Sequence, residues 1–170
     1  MKAARRFLDL IVGSACCLIL AGMIVVLAWQ VFSRYVLNTP SAVSEEVLRY
    51  GMIWSSLLGA ALASGRGTHM SIELLRDKAR GRARLMMELL VPLSFGALSL
   101  AVLIRGGLRA MEVAGTQKSA VLQIPMTWVY AAMPVGGVFI LIYALLNLVD
   151  LLRGQRASVD EIDKALAAGD

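Results

Sequence analysis

Three ionisable residues stand at the head of one apolar stretch: Glu45, Glu46 and Arg49. Glu45 and Arg49 are four residues apart and Glu46 and Arg49 three, with acid before base, the favourable order on a helix. Two acids in a first turn also suit the positive end of the helix dipole. Thr39-Pro40 or Ser41 offers the cap that would begin that helix. The set is read as a protein-facing structural pair, as plain interfacial charge, or as an ion- or proton-handling site. Position in the sequence does not decide among these, nor which glutamate pairs with Arg49.

Other residue types exclude chemistry by their scarcity. The single histidine, His69, leaves no bis-histidine haem and no zinc site. The two cysteines are adjacent, Cys16 and Cys17, so no C-x-x-C redox motif exists. No nucleophile–base set is apparent, so the chain is not read as an enzyme and no cofactor is expected in it. Spans one, three and four hold no central acid of the kind a proton-coupled exporter uses.

The elements that must hold these residues are membrane helices. The chain has 170 residues, 58% of them hydrophobic and 17% charged, with a net charge of +5. Its mean hydropathy is +0.71. Soluble domains are about 25% charged, and here the apolar residues are gathered into long uncharged runs. A polytopic membrane protein follows, and a soluble enzyme or nucleic-acid reader does not. The predicted fold is all-α, one four-helix membrane domain over 1–150 with spans near 10–33, 44–65, 85–105 and 125–149. A short polar tail, 151–170, follows. The first run has 24 uncharged residues, too long for a cleaved signal peptide, and is read as a retained span. Pro125 is placed at the first helical position of the last span, and Pro134 should kink it.

Lysines and arginines in alternate connections divide twelve against four, placing both termini in the cytoplasm. Trp29, Tyr35, Trp54, Trp128 and Tyr130 are then expected as anchors at the outer membrane interface. Between the second and third spans, residues 71–84 read as an amphipathic helix lying on the cytoplasmic surface. Its basic face carries Arg76, Arg80 and Arg84 against lipid.

The second span has a further pattern. Gly51, Ser55, Gly59 and Ala63 recur every four residues, with Ser56 and Ala60 beside them. Small residues at this spacing let helices approach closely in lipid. The stripe serves the chain's own bundle or, in addition, a second polypeptide.

The order of several motifs resembles a known family. Arg34-Tyr35 is followed by Ser44-Glu45-Glu46, Arg49, Trp54, Leu58-Gly59-Ala60 and Gly67-Thr68-His69. Later come Gln123-Ile124-Pro125-Met126-Thr127-Trp128-Val129-Tyr130 and Pro134. Over about residues 5–150 this resembles the small permease (DctQ-like, Q) subunit of tripartite ATP-independent periplasmic, or TRAP, transporters. Val43 departs from the tryptophan often found there. The resemblance implies a multi-pass protein of the bacterial inner membrane that binds no substrate itself. Its expected partners are the large (M) permease subunit, which moves substrate by an elevator motion, a periplasmic substrate-binding protein, and membrane lipids. Sodium coupling would reside in the large subunit, and the cargo would be an organic anion, often a carboxylate. The competing reading is a self-contained homo-oligomeric exporter or channel that uses Glu45 or Glu46.

Overall fold

The computed structural model describes residues 2–39, 41–66, 90 and 92–152. The expected interfacial helix with Arg76, Arg80 and Arg84, His69, the start of the third span and the tail beyond 152 lie outside the described residues.

Helix α1 spans Lys2–Tyr35 and α2 spans Ala42–Arg66. Helix α3 covers Pro92–Val113. Two short-linked helices complete the fold, α4 over Met126–Tyr130 and α5 over Ala132–Leu152. Among the described residues β-pairing is limited to an isolated antiparallel bridge, Lys118 to Pro125. The helices stand in a row: α1 packs on α2, α2 on α5, and α5 on α3. Arg5–Tyr35, Pro92–Val113 and Met126–Leu151 are long and apolar enough to cross a membrane. Helix α2 is also long, with 25 residues, but its charges are concentrated near its start, and its flanks are covered by α1 and α5.

Local chemistry sets the boundaries. Asn38 closes the α1–α2 turn at φ 52°, a left-handed conformation that asparagine tolerates. Ser41 caps α2, its Oγ accepting from the Ser44 amide at 3.3 Å and from the Ser44 hydroxyl at 2.9 Å. Pro125 takes the capping position rather than the first helical one, and α4 starts at Met126. The interruption expected at Pro134 falls at Ala131, between α4 and α5. Proline has no amide hydrogen, so the carbonyl four residues earlier, on Tyr130, loses its helical donor, and the chain breaks beside that carbonyl.

The core lies between α2, α5 and α3. Leu58 and Ala61 on α2 and Ala132, Ile140, Tyr143 and Ala144 on α5 are buried, and α1 adds Val12. Glycines allow the closest crossings. A Cβ on Gly107 would stand 2.6 Å from Pro134 Cδ, and one on Gly137 would stand 2.9 Å from Leu103 Cβ. The Tyr143 ring lies against Gly65. Residues Ser99–Ile104 of α3 form a π-helical turn. Buried Ser99 donates there to the Gly137 carbonyl at 2.5 Å, joining the widened turn to α5.

Candidate functional site

Polar side chains gather at the two ends of the row. The loop end holds the α1–α2 turn and the connection between α3 and α4. The opposite end holds the start of α1 and the last turns of α2 and α5.

At the loop end, Glu46 is 8% exposed and points inward from the first turns of α2. Its Oε2 accepts from the amides of Leu122 at 2.7 Å and Val121 at 3.2 Å. Its Oε1 accepts from the Tyr50 hydroxyl at 2.7 Å, which also lies 3.6 Å from Met126 Sδ. All three bonds are accepted, the role of an ionised carboxylate. Burying that carboxylate costs little only because its lone pairs are filled. The connection it holds is itself ordered. Ser119 donates its amide to the Ile124 carbonyl and Met126 donates to Gln117, both at 2.9 Å. Gln123 turns the chain at φ 55°.

The three residues singled out in the sequence therefore part company. Glu45 and Arg49 are exposed, and no ion pair joins Arg49 to either glutamate among the described residues; the ion pair there is Arg5–Asp150. Backbone amides from 75 residues away take Glu46 instead, because two preorganised donors and a tyrosine outweigh one exposed helical pair.

At the opposite end, Arg5 is the hub. It donates to the Gly65 carbonyl, to Asn147 Oδ1 at 3.0 Å and to Asp150 Oδ2 at 3.3 Å. Asn147 donates onward to the Ser64 carbonyl at 3.0 Å, and the Tyr143 hydroxyl donates to Asp9 at 2.6 Å. The first, second and last helices are thus clasped together. Asn147 reads from sequence as an interhelical hydrogen-bonding residue. Arg5 reads only as a topology charge, and Asp9 is missed, since nothing local announces partners this remote.

The small-residue stripe divides. Gly51 meets α1, where an added Cβ would touch the Met23 side chain at 3.0 Å. The Ser55 carbonyl accepts from Cys16 Sγ at 3.8 Å. Ser56, Ala60 and Ala63 are exposed, and a Cβ on Gly59 would meet nothing within 4 Å. The bundle instead uses Leu58, Ala61, Ser64 and Gly65. Helix α2 consequently turns one uncovered strip outward: Glu45, Arg49, Met52, Ser56, Ala60 and Ala63.

The expected aromatic anchors also separate. Trp29, Tyr35 and Trp128 are exposed near the loop end, with Trp29 and Phe32 rings 6.1 Å apart. Tyr130 ends α4 and is half-buried. Trp54 stands apart from them. It is the thirteenth of 25 residues in α2, at mid-helix rather than at an end, because the helix begins at Ala42 and its charged first turns precede the apolar part. No group of three or more His, Cys, Asp or Glu among the described residues could hold a metal ion.

A helical bundle with three helices long and apolar enough to cross a membrane, and polar clasps at its ends, has the build of a multi-pass membrane protein. The comparisons give that class a family. Residues 23–154 match the family described as tripartite ATP-independent periplasmic transporters, DctQ component. The chain is 32% identical to the sialic acid TRAP transporter small permease protein SiaQ of Vibrio cholerae, over 96% of each chain. It is 33% identical to a Haemophilus influenzae protein described as "Putative TRAP transporter small permease protein", over 46% of this chain and 48% of that one. The chain belongs to the DctQ family of TRAP small permease proteins; it is a transporter component and not an enzyme.

Proposed function

We propose that this chain is the stationary small subunit of a sodium-driven, binding-protein-dependent importer of organic anions. Four spans, the fourth supplied by α2, cross the bacterial inner membrane with both termini in the cytoplasm. The basic 71–84 segment rests on the cytoplasmic lipid surface. The large elevator-type subunit packs on the outward strip of α2, and the periplasmic binding protein docks at the loop end. The cargo class is a carboxylate, the class to which the sialic acid in the Vibrio relative's name belongs.

The observation that carries this reading is the uncovered face of α2. A small-residue strip has no partner within the bundle, yet small-residue faces serve close helix contact in lipid. The exporter alternative, which uses Glu45 or Glu46, is not favoured: the chain's relatives are small permease proteins of TRAP transporters, and Glu46 is engaged by three donors.

Reconstitution of uptake in liposomes, with each component omitted in turn and with or without a sodium gradient, tests the reading. Uptake should require this chain, the large subunit, the binding protein and sodium together. Transport by this chain alone would refute it.

A further inference from the structure

The apolar runs of neighbouring helices lie at different heights, and the packing contacts measure by how much. On α1 the uncharged run is 10–33, centred on Ala21 and Gly22. A Cβ on Gly51 of α2 would lie 3.0 Å from Met23 and 3.9 Å from Ile19, so that centre is level with Gly51. The uncharged run of α2 is 50–65 and centres on Leu57 and Leu58, about 10 Å nearer the Arg5 end at 1.5 Å per residue. Helix α5 keeps step with α2: its uncharged run centres on Gly137, and a Cβ on adjacent Gly136 would lie 3.0 Å from Leu57 Cβ. Helix α3 is displaced again. The run 89–104 centres on Gly96 and Ala97. A Cβ on Gly96 would lie 3.8 Å from both Leu141 and Ala144, about 7 Å past the centre of α5.

Across the row the apolar belt therefore descends about 17 Å from α1 to α3. Three interhelix steps of about 8–10 Å make the row roughly 27 Å wide. A bilayer presents a level slab, and the belt becomes level when the row is inclined in its own plane by about 30°, within the range of membrane helices. Upright, the row would bury charge. Gly107 abuts Pro134, whose Cδ would stand 2.6 Å from a built Cβ. Through the same registers Leu108 and Arg109 are level with Ala132 on α5, Ile53 on α2 and Leu20 on α1, beside the centre of the longest apolar run. Arg105 lies deeper still. Both arginines are exposed, and exposed arginines in mid-hydrocarbon are costly. Inclination raises this part of α3 by about 17 Å relative to α1, past the hydrocarbon half-thickness of about 15 Å.

We infer that the row sits obliquely in the bilayer, and that Arg105 and Arg109 thereby reach the outer leaflet as a binding site for phospholipid phosphate. The inference rests on the four-span reading proposed above and adds to it an inclination and a lipid site. A guanidinium pairs with phosphate through a fork of parallel hydrogen bonds. The rest of the flank suits lipid rather than a second polypeptide. Below the arginines α3 exposes Leu93, Leu98, Leu100 and Val102, large branched side chains rather than the small ones that admit a close helix. Helix α4 packs on the Arg105–Val113 segment and exposes Trp128, an amphipathic ring suited to the headgroup level.

Depth measurement on the complete transporter in liposomes tests this. Spin labels are placed singly, at Leu20→Cys or Leu108→Cys, in a chain also carrying Cys16→Ser and Cys17→Ser, so that both arginines stay in place. Collision with oxygen, which favours hydrocarbon, and with a water-soluble nickel chelate reads the depth of each. An oblique row puts the Leu108 label about 17 Å nearer the outer surface than the Leu20 label. An upright row puts the two at equal depth, which overturns the inference. A Leu108 label shielded from both reagents assigns the flank to the large subunit, and that also overturns it. Phosphate contact is read separately, from carbon–phosphorus dipolar dephasing in protein isotopically labelled at arginine Cζ. The dephasing should fall when Arg105→Gln and Arg109→Gln are combined, and unchanged dephasing overturns the phosphate site. A Leu20 label in water defeats the spanning reading itself, whereas equal depths within hydrocarbon defeat the inclination alone.

Discussion

Arg5 illustrates how much a single terminal residue holds. Helix α1 buries little of itself, with Val12 its one fully covered large side chain among the described residues. Its attachment to the far side of the bundle depends on the clasp with Gly65, Asn147 and Asp150. Arg5→Ala leaves three acceptors short of a donor, and about 1–3 kcal/mol of stability should be lost. A lowered thermal midpoint of the detergent-purified subunit would register it. Tyr143→Phe removes the hydrogen bond to Asp9 and should cost about 1 kcal/mol in the same assay. Neither partner set was legible in the sequence, because the partners lie 60 to 145 residues apart. The acid–acid–arginine set was legible as a set. Its division was not, since helical spacing rewards a Glu–Arg pair by only about 0.2–0.5 kcal/mol, and a connection from elsewhere in the chain offered Glu46 better donors.

At the scale of elements, hydropathy made the helices legible and left their faces ambiguous. Composition placed the last span within three residues of Met126–Leu151, but it ended the third span at 105, where α3 runs on to Val113, and began the first at 10, where α1 begins at Lys2. It also found the small-residue stripe of α2, but the bundle buries Leu58 and Ala61, which lie outside that stripe. Burial is decided by which neighbours arrive, and no periodicity within α2 encodes that. The π-helical turn at Ser99–Ile104 and the break at Ala131 arise from contacts and lost donors that a linear pattern does not reveal. Two kinds of glycine follow. Gly107→Val and Gly137→Leu force side chains into atoms already 2.6 and 2.9 Å from a built Cβ, and each should destabilise the isolated subunit by about 1–3 kcal/mol. Gly59→Leu meets open space, so the isolated subunit should keep its thermal midpoint to within a degree or two, while the large subunit should be lost on co-purification. Equal loss of midpoint at all three positions would place Gly59 inside the bundle.

For the whole molecule, the distribution of polarity matters more than any one group. The polar clusters occupy the two ends, and the buried middle is lined by Leu58, Ala61, Ile140 and Ala144. Among the described residues this middle offers ions no charged stepping stone. Liposomes containing the chain alone should hold an imposed proton or sodium gradient as well as empty ones do, as a fluorescent gradient indicator would report.

The first helix is also a rod of 34 residues, about 51 Å at 1.5 Å per residue, in a hydrocarbon slab about 30 Å thick. Its 24 uncharged residues between Asp9 and Arg34 alone exceed that thickness. Such mismatch is relieved by leaning or by thickening the surrounding bilayer. The clasp at Arg5 fixes one end of the rod, so leaning is transmitted to the helices it grips. Acyl-chain length in the host membrane thereby becomes a mechanical input to the assembly, one that no soluble ligand supplies.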